Sequence, residues 1–466
     1  MGVMLNYKKV NNTETLKEME EMLDVSSLQN YIPLYQRFFE LNVLNWNNIH
    51  FENHRRIHPL RVEDDELYCG DTPIFVKFSP ILDPLKYLTG KYESYDYTLP
   101  SFKGHSLTKM EDVNNSSYVD GFFTFLSDQL YSKGFIHGIP FYGSYLGIKQ
   151  NFEYCIEDDV EHLQDSPFFH KQKDELYSLN RAYSFSNSLT NKKRICLDED
   201  VEIQLDSLDE SIHSKSESES ESESSESGLT AIIHQFPTHV ILMERNEETL
   251  DFLLDELTEE ELCAALMQVI MILITYQKVF HFTHNDLHTN NIMFVTTQEK
   301  YVSYKYNNVY YQVPTFGKIY KLIDYGRSIY TYQKRLFMSD SFHPDGDAAT
   351  QYNFGPYKVE DEPTVVPNFS FDLCRLACSM LECIPEDNSM YPIIKEWCQD
   401  DDGKCMIWSA DGTERYPDFE LYRMIALSVH RHTPQAQLVR PEFASYEVKE
   451  VAEMAGYMDL DAYEEL

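Results

Sequence analysis

Two stretches carry the reading: Phe282–Phe294, FTHNDLHTNNIMF, and Lys321–Gly326, KLIDYG. In the first, His284, Asp286 and Asn291 fall in a loop that runs into a short apolar strand; in the second, an apolar strand ends on Asp324, Tyr325 and Gly326. Phosphoryl transfer from a magnesium nucleotide needs an acid that orients and deprotonates the attacking hydroxyl, an amide oxygen on the metal, and a carboxylate that bridges metal and phosphates. Asp286, Asn291 and Asp324 meet those needs in that order. A lone His-x-Asp pair is more often a capping or surface feature than a catalyst, so the weight rests on the ordered set.

His284, Asp286 and Asn291 stand as the histidine, aspartate and asparagine of HRDxxxxN, and Asp324 as the aspartate of DFG. In spacing and order the chain resembles the protein kinase-like superfamily. Asn285 replaces the usual arginine, and His288 sits where many protein kinases carry lysine. The HxDLHxxN form looks like haspin-type kinases and like small-molecule kinases of the choline or aminoglycoside type; DYG also looks haspin-like. The resemblance implies an α+β, bilobal protein kinase-like fold with a small β-rich lobe and a large, mainly helical lobe. It implies ATP and Mg²⁺ as cofactors, Asp286 as catalytic base, Asn291 and Asp324 on the metal, and His288 near the γ-phosphate. The run Phe75–Tyr92, with the richness in Asn, Tyr and Phe, is similar to protein kinases predicted in large DNA viruses.

Upstream, Glu66–Phe78 reads as two strands around a Gly-Asp-Thr-Pro turn, with Lys77 alone among Ile74, Phe75, Val76 and Phe78. Such a lysine can snorkel from a sheet edge. By the resemblance it is the lysine that clamps the nucleotide phosphates and pairs with an acid on the next helix. That helix is Tyr118–Tyr131, apolar at Val119, Phe122, Phe123, Leu126 and Leu130. The partner is Asp120 or Asp128, with Asp120 preferred; either is shorter than the family's glutamate and draws helix and strand together. His137–Leu146 looks like the segment between that helix and the fourth strand, with Phe152–Ile156 as its continuation. Thr238–Glu244 resembles the fifth strand and hinge, with Met243 as gatekeeper and the backbone of Glu244 and Asn246 on adenine.

Glu259–Gln277 reads as a long buried helix with Met267 and Met271 as core filler, and Tyr301–Val313 as an extra hairpin turning at Asn307-Asn308. Asp372, heading an apolar helix, is expected either to bond the catalytic-loop backbone or simply to favour the helix dipole. The segment over the phosphates has no GxGxxG: Arg56–Val62 and Glu66 are joined by the acidic turn Glu63-Asp64-Asp65, leaving Arg55, Arg56 or Arg61 to rebuild a lid.

The chain has 466 residues, 42% of them apolar, enough for more than one core. Its 77 acids against 39 bases give a formal charge of -38, which repels nucleic acid, so no nucleic-acid partner is expected. No membrane span is expected either, since Cys263–Tyr276 is short and holds Gln268. Cysteines without metal spacing and the absence of a signal sequence at the start imply a reducing intracellular compartment, a host cytoplasm or virion if viral. The layout read from these features is an N-terminal helical extension over 1–50, with helices around Glu14–Leu23 and Ile32–Leu44. A small lobe over 51–246 and a large lobe over 247–466 follow. The small lobe contains a disordered acidic insertion at about 157–230, centred on SKSESESESESSES at Ser214–Ser227. The expected function is a Ser/Thr protein kinase with a protein substrate; a small-molecule kinase and a catalytically weak pseudokinase scaffold are the other readings.

Overall fold

The computed structural model describes residues 5–449 and 456–465, apart from positions 54, 56–59, 64–65, 182, 184–227, 356–357, 360–361, 364 and 418. Arg56, Asp64, Asp65 and the Ser/Glu core of the expected insertion lie outside the described residues. The chain is a mixed α+β structure in two compact units, one of Met1–Leu82, Tyr95–Lys149 and Pro237–Leu466, the other of Asp83–Ser94 and Gln150–Phe236.

The main sheet orders its strands Val25–Gln29, Phe141–Cys155, Thr230–Glu244, Thr72–Pro80, Glu66–Cys69 and Leu60–Glu63, with Tyr177–Leu179 added to Thr230–Glu244. The strand expected over Thr238–Glu244 therefore starts earlier, and the fourth strand runs unbroken through Asn151. Thr72–Pro80 pairs antiparallel with Thr230–Glu244, and the register sets Lys77 opposite Ile241 and Phe75 opposite Met243. Glu66–Cys69 pairs antiparallel with Thr72–Pro80 as the hairpin read from the sequence, and Leu60–Glu63 pairs antiparallel with Glu66–Cys69.

In the first 50 residues the helix Thr13–Leu23 forms as expected, but Ile32–Leu44 yields only the 3-10 turn Pro33–Arg37. Asparagines take over the backbone there: Asn45 Oδ1 accepts from Asn42 N at 2.7 Å, and Asn47 Oδ1 accepts from Asn30 N and Tyr31 N. Side-chain bonds of this kind compete with helix formation. Val25–Gln29 then pairs with Phe141–Cys155, so this segment contributes to the sheet itself.

The smaller unit corrects the reading of disorder from residue 157. Helices Val160–Gln164 and Pro167–Gln172 and the strand Tyr177–Leu179 are formed, with Leu163, Phe169 and Tyr177 fully buried. Phe169 stacks on Tyr177 at 4.5 Å. The elements are too short for a periodic signal, and a few aromatics provide their core.

Helix Ser116–Tyr131 starts at Asn115, whose side chain accepts from Ser117 N. Its Gly121 permits a close approach: a Cβ there would lie 2.4 Å from the ring of buried His239. Helix Glu259–Phe280 opens with a capping box between Thr258 and Glu261. It is the one described helix long and apolar enough to cross a membrane, and 89% of that stretch is buried, as in a core helix. Strand Ile292–Thr296 pairs with Lys318–Leu322, joining Ile292 to Leu322. The extra hairpin forms as read, Tyr301–Tyr306 on Val309–Pro314, with Asn307 and Asn308 at φ 49° and 62° as a two-residue primed turn demands.

Candidate functional site

Lys77 lies between two carboxylates. Its Nζ is 2.7 Å from Asp120 Oδ2 and 2.9 Å from Asp324 Oδ1. The strand register supplies the lysine, the N-capped helix supplies Asp120, and the close approach at Gly121 lets the short aspartate reach. Asp128, the other candidate on that helix, pairs instead with Arg55. The two acids facing Lys77 respond oppositely because their settings differ. The ammonium beside Asp324, whose side chain is 52% exposed, holds its carboxyl down to about 2. Burial pushes the Asp120 carboxyl up against the pull of Lys77, since its side chain is only 2% exposed.

Asn291 and Asp324 are brought together by the ladder between their strands: Ile323 N donates to Asn291 O at 3.0 Å, one step beyond the Ile292–Leu322 pair. Asp324 sits at φ 62°, a left-handed conformation that aspartate tolerates better than most residues. Asp372 fixes the loop from behind. Its buried carboxylate accepts from His284 N at 2.9 Å and Asn285 N at 3.0 Å, and His284 Nε2 donates to Ile323 O at 2.9 Å. The sequence offered two roles for Asp372, and the loop contact is present.

Asp286 is held by two groups that sequence reading missed. Tyr422 OH donates to its Oδ1 at 2.6 Å, and Arg327 Nη1 donates to its Oδ2 at 3.0 Å; Arg327 also bonds Asp347. Arg327 directly follows the KLIDYG strand and could have been flagged by position, whereas nothing marks Tyr422 among 33 tyrosines. His288 Nε2 accepts from Asn291 Nδ2 at 3.1 Å, and burial lowers its pKa, so the imidazole is neutral near neutral pH. Asn291 Nδ2 also donates to Asp286 O at 2.9 Å, which leaves Oδ1 of the amide for a cation.

A cavity of about 260 Å³ lies among Lys77, Asp120, Met243, Asn246, Met293 and Asp324, with Phe75 and Ile323 on its wall. Among the described residues Asn246 Oδ1 is buried with no hydrogen-bond partner, an acceptor open to a donor. Glu244 is more committed than expected: its side chain pairs with buried Lys321 and its N–H donates to Pro140 O at 2.9 Å, so any base contact by its backbone falls to the carbonyl. Lys321, a second lysine in an apolar strand, was the available signal for that pair.

Among the described residues no group of three or more His, Cys, Asp or Glu could hold a metal ion. Asp324 with Asn291 Oδ1 is an oxygen pair, which suits Mg²⁺, an ion commonly held by one or two carboxylates with phosphates and waters completing its shell. Of the arginines available for a lid, Arg55 is spent on Asp128 and Arg61 on Glu63 and Asp71. Compared with protein-family models and with curated proteins, the chain matches none.

Proposed function

We propose that the chain is an ATP- and Mg²⁺-dependent phosphotransferase of bilobal, protein kinase-like architecture that acts on a hydroxyl, with protein Ser or Thr as the acceptor class. The observation that carries the reading is Lys77 bridging Asp120 and Asp324 on the wall of a cavity, with Ile323, next to Asp324, bonded through its N–H to Asn291 O at the end of the Asp286–Asn291 loop. Lys77, Asp120 and Asp324, from three separate segments, meet at one point, which supports a site for a metal-bound nucleotide. ATP with Mg²⁺, when bound, supplies the electrophilic phosphorus and its leaving group. Lys77, already charged and oriented by Asp120, would hold phosphate oxygens; Asp324 and Asn291 Oδ1 would hold the cation. Asn246 Oδ1 is the unfilled acceptor for an exocyclic amine of the base. Asp286 takes the proton of the acceptor hydroxyl, its carboxylate aimed by Arg327. Neutral His288 keeps Asn291 in place through its Nε2.

Melting the protein with ATP, with and without Mg²⁺, tests binding. We expect a metal-dependent rise in Tm that Asp324→Asn abolishes. Equal Tm values in all conditions would refute the reading. Transfer of labelled phosphate to casein but not to choline or aminoglycosides would separate a protein acceptor from a small-molecule one.

A further inference from the structure

The surroundings of Asp286 go further than its role as base. Tyr422 lies on the helix Glu420–Ser428, its ring stacked on Phe419 at 4.6 Å and 9°. The guanidinium carbons of Arg327 and Arg375 lie 5.8 Å and 5.0 Å from that ring, and the hydroxyl donates to Asp286 Oδ1 at 2.6 Å. Burial raises the phenol's pKa, so it is a proton donor across the neutral range. An acceptor hydroxyl must make this same bond to the base before it attacks.

We propose that Tyr422 is an intramolecular phosphoryl acceptor, a modification site set in the acceptor position by its hydrogen bond to Asp286, with Arg327 and Arg375 placed to receive the product phosphate. The inference rests on the phosphotransferase reading above. In the step, a bond forms between Tyr422 Oη and the γ-phosphorus of ATP, and the bond from that phosphorus to the β,γ-bridging oxygen breaks. The phenolic proton passes to Asp286, and ADP leaves. The phosphotyrosine carries a charge of about -2 beside two guanidiniums that can bind it bidentately. Because Arg327 also holds Asp286, phosphate at Tyr422 would compete with that carboxylate for the guanidinium.

The test incubates the purified full chain with ATP and Mg²⁺ and maps phosphate by peptide mass. Tyr422 should gain one phosphoryl group at a rate independent of protein concentration, and Tyr422→Phe should lose that peptide's modification. Phosphate on casein or on other residues but not on Tyr422 overturns the inference and leaves the phosphotransferase reading intact. Phosphate nowhere defeats both, and a rate proportional to protein concentration defeats the intramolecular step. A second readout needs no nucleotide: the Tm changes of Tyr422→Phe and Asp286→Ala, each of which removes one partner of the bond, should be non-additive in the double variant. Strict additivity would mean that the bond does not exist in solution and would overturn the inference.

Discussion

Neutralising Asp120 separates the two acids that the sequence offered for Lys77. In Asp120→Asn the amide keeps an oxygen for Tyr325 N, which now donates to Asp120 Oδ1 at 2.8 Å, so the Tyr325 turn stays anchored. What is lost is a charge 2.7 Å from the ammonium. A charge-assisted hydrogen bond contributes about 1.5–3 kcal/mol net. Little of that should appear as lost stability, because removing a carboxylate this enclosed also removes its desolvation cost, and Lys77 keeps Asp324 at 2.9 Å. It should appear in nucleotide affinity, since Lys77 would collapse onto Asp324 and engage both the phosphate clamp and the metal ligand. At about 1.4 kcal/mol per decade the expected loss is roughly tenfold to a hundredfold. Calorimetric titration with a non-hydrolysable ATP analogue and Mg²⁺ measures it directly. Asp128→Asn on the same helix is the control, because Asp128 pairs with Arg55, and its affinity should match wild type. Equal losses in both variants, or none in a folded Asp120→Asn, would refute the assignment.

Other outcomes follow from the same structure. Gly121→Ala should lower stability by about 1 kcal/mol, read as a fall in Tm, because overpacking against the His239 ring outweighs the better helix propensity. His137 and His239 are buried neutral with pKa values lowered by burial to about 4, so the unfolded chain binds their protons first; their stabilisation is present above pH 6.5 and lost as pH falls toward 4. Between pH 7 and 5 each should cost on the order of 2 kcal/mol, and His137→Gln should flatten the pH dependence of Tm. Asp372→Asn should cost roughly 1–3 kcal/mol by setting an amide NH₂ against the N–H groups of His284 or Asn285, and should lower kcat with little change in nucleotide affinity.

The parts of the site that were legible share one property: each is fixed by its own segment. The hairpin at Asn307-Asn308, the capped helix after Thr258 and the lysine isolated in an apolar strand all declare themselves by local chemistry. The ordered motif residues could be assigned jobs because strand pairing carries Asn291 to Asp324 without help from elsewhere. Contacts set by tertiary packing were not legible. Tyr422 reaches Asp286 across 136 positions of chain, and the choice between Asp120 and Asp128 depends on which side of the helix meets the strand. The short elements between residues 157 and 181 failed for a different reason, since buried Leu163, Phe169 and Tyr177 sit in an acidic stretch whose average composition resembles disorder.

The central claim is that Asp286 takes the acceptor's proton while Lys77, Asn291 and Asp324 hold the nucleotide. It is tested most directly by comparing wild type and Asp286→Asn for phosphate transfer and nucleotide affinity in the same preparation. Transfer should fall by at least about a hundredfold, the usual worth of a general base, with affinity for the Mg²⁺-bound analogue unchanged. Transfer persisting at the wild-type rate in Asp286→Asn would contradict it.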